Sequence, residues 1–122
     1  MQLLVDGQMA SAPLISSELL WLEADRAVVR LTKQDPTAFD LPIEVTSALL
    51  RMQMIDLDRQ IISAARAIPE VVKSLDALHI ASAELVADAL KFVVTCDHAM
   101  AHVLNQRGIV EAVTPSEALV RL

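Results

Sequence analysis

The stretch KFVVTCDHAMA, residues 91–101, constrains the fold of this chain more than any other. Phe92-Val93-Val94-Thr95-Cys96 is an apolar, β-branched run that ends abruptly on an acid, Asp97, and a helical pattern begins there. A strand with no polar alternation is buried on both faces, as strands of helix-covered parallel sheets are. The same unit recurs along the chain. PLISS (13–17) reads as a short strand running into a helix over SELLWLEADRAVVRLTK, with Leu19, Leu22, Arg26, Val29 and Arg30 marking the helix and Ser17 as its cap. A Pro-punctuated turn leads to a second helix from about Pro42. QMIDLD is a short apolar strand, and Asp58 is placed to cap the helix RQIISAARAI. A turn at Pro69 precedes the helix SLDALHIASAELVADA. After FVVTC come the helix HAMAHVLNQR closed by Gly108, the strand IVEAV, and a last helical turn after Pro115. Short apolar strands alternating with helices predict α/β architecture with a parallel sheet covered on both faces.

Composition narrows the function classes. The 122 residues make one domain, spanning 1–122, with enough chain to bury a core. Hydrophobic residues make up 54% while aromatics are 2%, so the core must be aliphatic. Charges interrupt every apolar run before the roughly 18 residues of a membrane span, and no basic leader with an apolar stretch opens the chain. A membrane location is therefore not expected. The single cysteine, Cys96, has no intramolecular partner, which fits a reducing, cytoplasmic setting, and it reads as a small buried residue. Ten basic against sixteen acidic side chains give a net charge of −6, which argues against nucleic-acid binding through a broad basic face. The same balance suits carboxylates gathered around a divalent cation.

In open α/β sheets, sites form outside the carboxyl ends of the strands, and Asp97 stands at such an end. Asp76, at the start of its helix, and Glu23, about two turns into the helix after the first strand, are placed to meet it there. Several carboxylates in one crevice do not all stay ionised without a cation. Magnesium or manganese relieves the repulsion and can hold a phosphodiester and a water in line, so phosphodiester hydrolysis is the chemistry such a cluster favours. Each acid has a plainer reading beside this one: Asp76 complementing a helix dipole, Glu23 facing solvent, Asp97 capping the helix at His98. His98 and His102 have the i, i+4 spacing of zinc ligands but lack the accompanying Glu, and His79 reads as packed on its helix face. There is no Gly-rich phosphate loop and no convincing Ser-His-Asp order.

SLDALHIASAELVADALKFVVTCDHAMA resembles the C-terminal half of PIN-domain ribonucleases of the VapC toxin type, which carry Leu-Asp-Ala-Leu-His-x-Ala-Ser/Thr-Ala on a helix and then a strand ending in Thr-x-Asp. The likeness runs through Leu75, Asp76, Ala77, Leu78, His79, Ala81, Ser82 and Ala83, and then Val94, Thr95 and Asp97. It extends more loosely through NQRGIVEAVTP, and LISSELLWLEADRAVVRL is similar to the family's second strand and its acid-bearing helix. The resemblance implies a PIN-like three-layer α/β/α fold. It also implies a divalent-metal-dependent endoribonuclease (Mg2+ or Mn2+), with Glu23, Asp76 and Asp97 as catalytic metal ligands and Thr95 as a supporting hydroxyl. RNA would be the substrate, a cognate antitoxin the inhibitor, and a homodimer the expected assembly. A degenerate, non-catalytic module that keeps only its binding surface is the alternative.

The chain departs from the family at its start. No strand ending in Asp-Thr/Ser-Ser/Asn-Ala supplies a first aspartate; Asp6 is followed by Gly7 and reads as a turn, only 17 residues before Glu23. MQLLVDGQMA accordingly reads as the end of the family's second helix, with about two dozen residues and the central strand missing from the N-terminus. Three outcomes are open: a sheet that closes differently, a partner chain over the gap, or a true start upstream of Met1. The last is the favoured reading. Unpaired inner strand edges would otherwise cost roughly 1 to 3 kcal/mol for each buried group.

Overall fold

The structure, a computed structural model, describes the backbone of Gln2–Val5 and residues 14–121. In chain order these form β1 (Gln2–Val5), β2 (Leu14–Ser17), α1 (Leu19–Gln34), α2 (Leu41–Leu50), β3 (Gln53–Ile55), α3 (Arg59–Arg66), α4 (Ser74–Leu85), β4 (Phe92–Thr95), α5 (His98–Arg107), β5 (Ala112–Val113) and α6 (Pro115–Arg121), with a 3-10 turn over Ala87–Ala89. The chain is α/β. Asp6, Gly7 and Pro13 lie outside the described residues.

One sheet runs β3-β2-β1-β4-β5. Its two halves are parallel, as expected of the sheet, with β2 beside β3 and β4 beside β5. The centre differs from expectation. β1 lies antiparallel to both neighbours, pairing Leu4 with Ile15 on one side, and Gln2 with Thr95 and Val5 with Phe92 on the other. The sheet is therefore mixed, Gln2–Val5 is a strand rather than the end of a helix, and the inner edges of β2 and β4 are paired within the chain. Chain length explains the direction. Only residues 6–13 separate β1 from β2, whereas a parallel crossover takes roughly a dozen residues or more. The reversed strand meets the requirement that buried backbone N–H and C=O groups find partners.

Helices cover both faces of β4, whose four residues are all buried. Val93 packs with Ile80 and Ala83 of α4, Met100, Val103 and Leu104 of α5, and Val110 and Ala112. Phe92 and Val94 point the other way, against Val113 and Ala118 of α6. This alternation is the period-2 geometry of a strand, and each fully buried Val or Leu contributes roughly 1.5 to 3 kcal/mol. Leu20, Ala24 and Leu49 tie α1 to α2, with Met54 of β3 packed against them.

The start and stop signals hold in detail, with one exception. Asp58 accepts from the Ile61 N–H at 3.0 Å, capping α3. Gly108 takes φ 71°, the left-handed conformation that ends α5, and its N–H bonds to the Leu104 carbonyl. Ser17, expected as the cap of α1, is instead the last residue of β2 and is buried. Glu18 occupies the cap position, and its side chain accepts from the Leu57 N–H at 2.7 Å. At the far end of α5, Arg107 forks onto Glu84 with bonds of 2.7 and 2.8 Å and reaches Glu70 at 3.0 Å, joining α5, α4 and the loop before α4.

Candidate functional site

Two helices begin at one cleft. α5 follows β4 across the single turn Cys96-Asp97, and α4 starts at Ser74 after the loop that carries Val71, Val72 and Lys73. Between them lies a cleft of about 400 Å³ into which Lys73, Asp76, Asp97, Met100 and His102 project. Asp97 caps α5: its Oδ1 accepts from the Met100 N–H at 3.0 Å, and its own N–H donates to the Thr95 Oγ1 at 3.0 Å. Thr95, buried at the end of β4, thus fixes the turn that presents the acid. The cap and the cleft acid are therefore one residue in two roles, because Oδ2 accepts no hydrogen bond among the described residues.

Asp76 sits in the first turn of α4, half-buried, and accepts no hydrogen bond among the described residues. Burial holds its carboxyl above the ordinary carboxylate range, and the charge of Asp97 pushes it the same way. His79 and Lys73 pull it back down, and Glu23 adds a smaller upward push. The three predicted acids thus share one electrostatic neighbourhood, with Asp76 and Asp97 facing one cleft.

Glu23 is engaged elsewhere. Its Oε1 lies 2.5 Å from the His79 Nε2, and the Nδ1 of the same ring lies 3.0 Å from the Ser17 Oγ. His79 is buried, as its helix-face reading required, and it also bonds through both ring nitrogens to residues 62 and 56 positions away. Ser17-His79-Glu23 has the connectivity of a nucleophilic triad, but Ser17 is 2% exposed, so no substrate can reach its hydroxyl. The group ties β2, α4 and α1, with Ser17 and His79 buried and Glu23 part-exposed. Among the described residues, no three His, Cys, Asp or Glu side chains are grouped closely enough to hold a metal ion.

Several residues fall in places the sequence did not indicate. Cys96 is exposed at the turn rather than buried in the strand, because β4 ends at Thr95. Lys73 also lines the cleft, and its signal in the sequence is a cation three residues before an acid at a helix start. Both His98 and His102 are exposed on α5, and His102 lines the cleft. β1 begins at this edge, with Gln2 opposite Thr95, and ends at the opposite edge, with Val5 opposite Phe92. No helix is long and apolar enough to cross a membrane among the described residues. No protein-family model, no curated protein and no solved structure matches the chain.

Proposed function

We propose that this chain is a divalent-metal-dependent endoribonuclease of the PIN, VapC-like kind, hydrolysing RNA phosphodiesters at the Asp76–Asp97 cleft. The observation that carries the reading is the pairing of two aspartates on one cleft, one with its carboxyl pushed up by burial and by the charge of the other. Like charges held at one cleft, Asp76 half-buried and Asp97 exposed, favour a counter-cation. Magnesium characteristically takes one or two carboxylates and completes its shell with water and substrate phosphate. Asp76 and Asp97 fit that requirement in number and in oxygen chemistry, and manganese accepts the same donors. The bound ion would neutralise the pair and polarise a phosphoryl oxygen.

The chain's own residues do the rest. The Met100 N–H holds Oδ1 of Asp97, leaving Oδ2 for the ion, and Thr95 keeps the turn in place. Lys73 supplies positive charge at the cleft for the substrate backbone, in a chain whose net charge is −6. The order of the sheet supports the same reading, since a strand at its centre occupies the place the resemblance assigns to the family's first strand. An antitoxin partner, a homodimer and a cytoplasmic setting belong to this proposal.

A second reading has its own observation. Glu23 is bound to His79, and β1 runs the wrong way to deliver a fourth acid from its carboxyl end. A non-catalytic module that keeps only antitoxin binding or self-association would look like this. Incubation of the protein with RNA and Mg2+ or Mn2+ decides between them. The nuclease reading expects cleavage that EDTA abolishes and that Asp76→Asn and Asp97→Asn each remove. Cleavage that survives both substitutions overturns the site, and no cleavage with either metal favours the non-catalytic module.

A further inference from the structure

We propose that His79 is a positioning residue that withholds Glu23 from the Asp76–Asp97 pair. The inference rests on the cation site proposed above and adds a control to it. His79 lies three residues after Asp76 on α4, on the same side of the helix. Its side chain is 5% exposed and both ring nitrogens are engaged, by Ser17 at 3.0 Å and by Glu23 at 2.5 Å. A buried ring anchored at one nitrogen to a strand and at the other to an acid cannot swing to follow that acid. Glu23 is different: its side chain is 31% exposed, and it is near enough to add to the charge acting on Asp76. It is a part-exposed carboxylate whose charge reaches Asp76, tethered to a fixed ring. Among the described residues the acids do not form a three-donor group, and Glu23 is bonded to His79 instead.

Side-chain geometry offers a clean way to cut the tether. Asparagine at 79 places its amide where Nδ1 stands, so it keeps a partner for Ser17 but does not reach Glu23. Glutamine places its amide where Nε2 stands and can still donate to Glu23. The experiment is calorimetric titration of Mn2+ into the full chain, with circular dichroism to confirm the fold of each variant. His79→Asn is expected to bind Mn2+ about tenfold more tightly than the wild type, the scale at which residues behind metal ligands act. His79→Gln should stay within about twofold of wild type, and adding Glu23→Gln to His79→Asn should remove the gain. His79→Phe, with similar ring volume and no donor, repeats the test if asparagine loosens the fold. Binding in the wild type that Asp97→Asn abolishes, with His79→Asn and His79→Phe unchanged or weaker, overturns the role of His79 and leaves the cation site standing. No Mn2+ binding by any variant overturns the cation site and the inference with it.

Discussion

Asp97 is asked to do two jobs, and Asp97→Asn and Asp97→Ala separate them. As a cap it accepts the Met100 N–H at 3.0 Å, a bond worth about 1 kcal/mol when the cap becomes alanine. As an acid it adds repulsion to Asp76, whose carboxyl it helps push up. Both acids are partly solvated, so relief of that repulsion contributes well under 1 kcal/mol. Asparagine caps as well as aspartate does, and its lost attraction to the helix dipole, about 0.3 to 1 kcal/mol, is offset by the relieved repulsion. Asp97→Ala should therefore lower the unfolding free energy by about 1 kcal/mol, roughly 4 °C in Tm for a domain of this size. Asp97→Asn should stay within about 0.5 kcal/mol of wild type. Urea denaturation followed by circular dichroism reads the difference, since neither change alters the surface exposed on unfolding. In the same Asn variant the Asp76 titration, followed by carboxyl NMR, should move down toward the ordinary carboxylate range. If Asp97→Asn destabilises as much as Asp97→Ala, the capping account of this turn is wrong. If the Asp76 titration does not move, the two acids do not face one another.

Three further outcomes follow from the geometry. Because folding raises the Asp76 pKa above 3.8, the native state binds its proton more readily than the unfolded chain does, and stability falls as pH rises through the native pKa. Asp76→Asn should therefore gain on wild type across that window, and equal pH profiles in urea melts would refute the shift. Arg107→Leu removes a bidentate pair to Glu84 and the bond to Glu70 in side chains 14 to 27% exposed; a loss of about 2 to 3 kcal/mol is expected, below the range for fully buried pairs, and a change under 0.5 kcal/mol would contradict the tie. Cys96 is exposed, so it should react with a thiol reagent at one equivalent per chain without denaturant, whereas a thiol that reacts only on unfolding would restore the buried reading.

Periodicity carried the helices and the strands β2 to β5, because each rests on local signals: Asp58 before α3, Gly108 after α5, and the unbroken apolar run of β4. The centre of the sheet was not legible. Gln2-Leu3-Leu4-Val5 becomes a strand because two strand edges elsewhere in the chain need partners, which is a tertiary demand with no local mark. Ser17 and Cys96 were misplaced for a related reason. Both stand at strand ends, where one residue of register decides between interior and solvent. That Asp76 and Asp97 share one cleft was legible from the place of each at a helix start. The attachment of Glu23 to His79 spans 56 residues, and a hydrogen bond of that separation leaves no trace in spacing.

Asp76 and Asp97 are proposed to hold a divalent cation together. The most direct measurement follows the Asp76 side-chain carboxyl by NMR across pH, without and with Mg2+. A cation held by the pair requires a raised titration in the metal-free protein and, with saturating Mg2+, a fall below the ordinary carboxylate range as the cation displaces the proton. An Asp76 titration that Mg2+ leaves in place would contradict it.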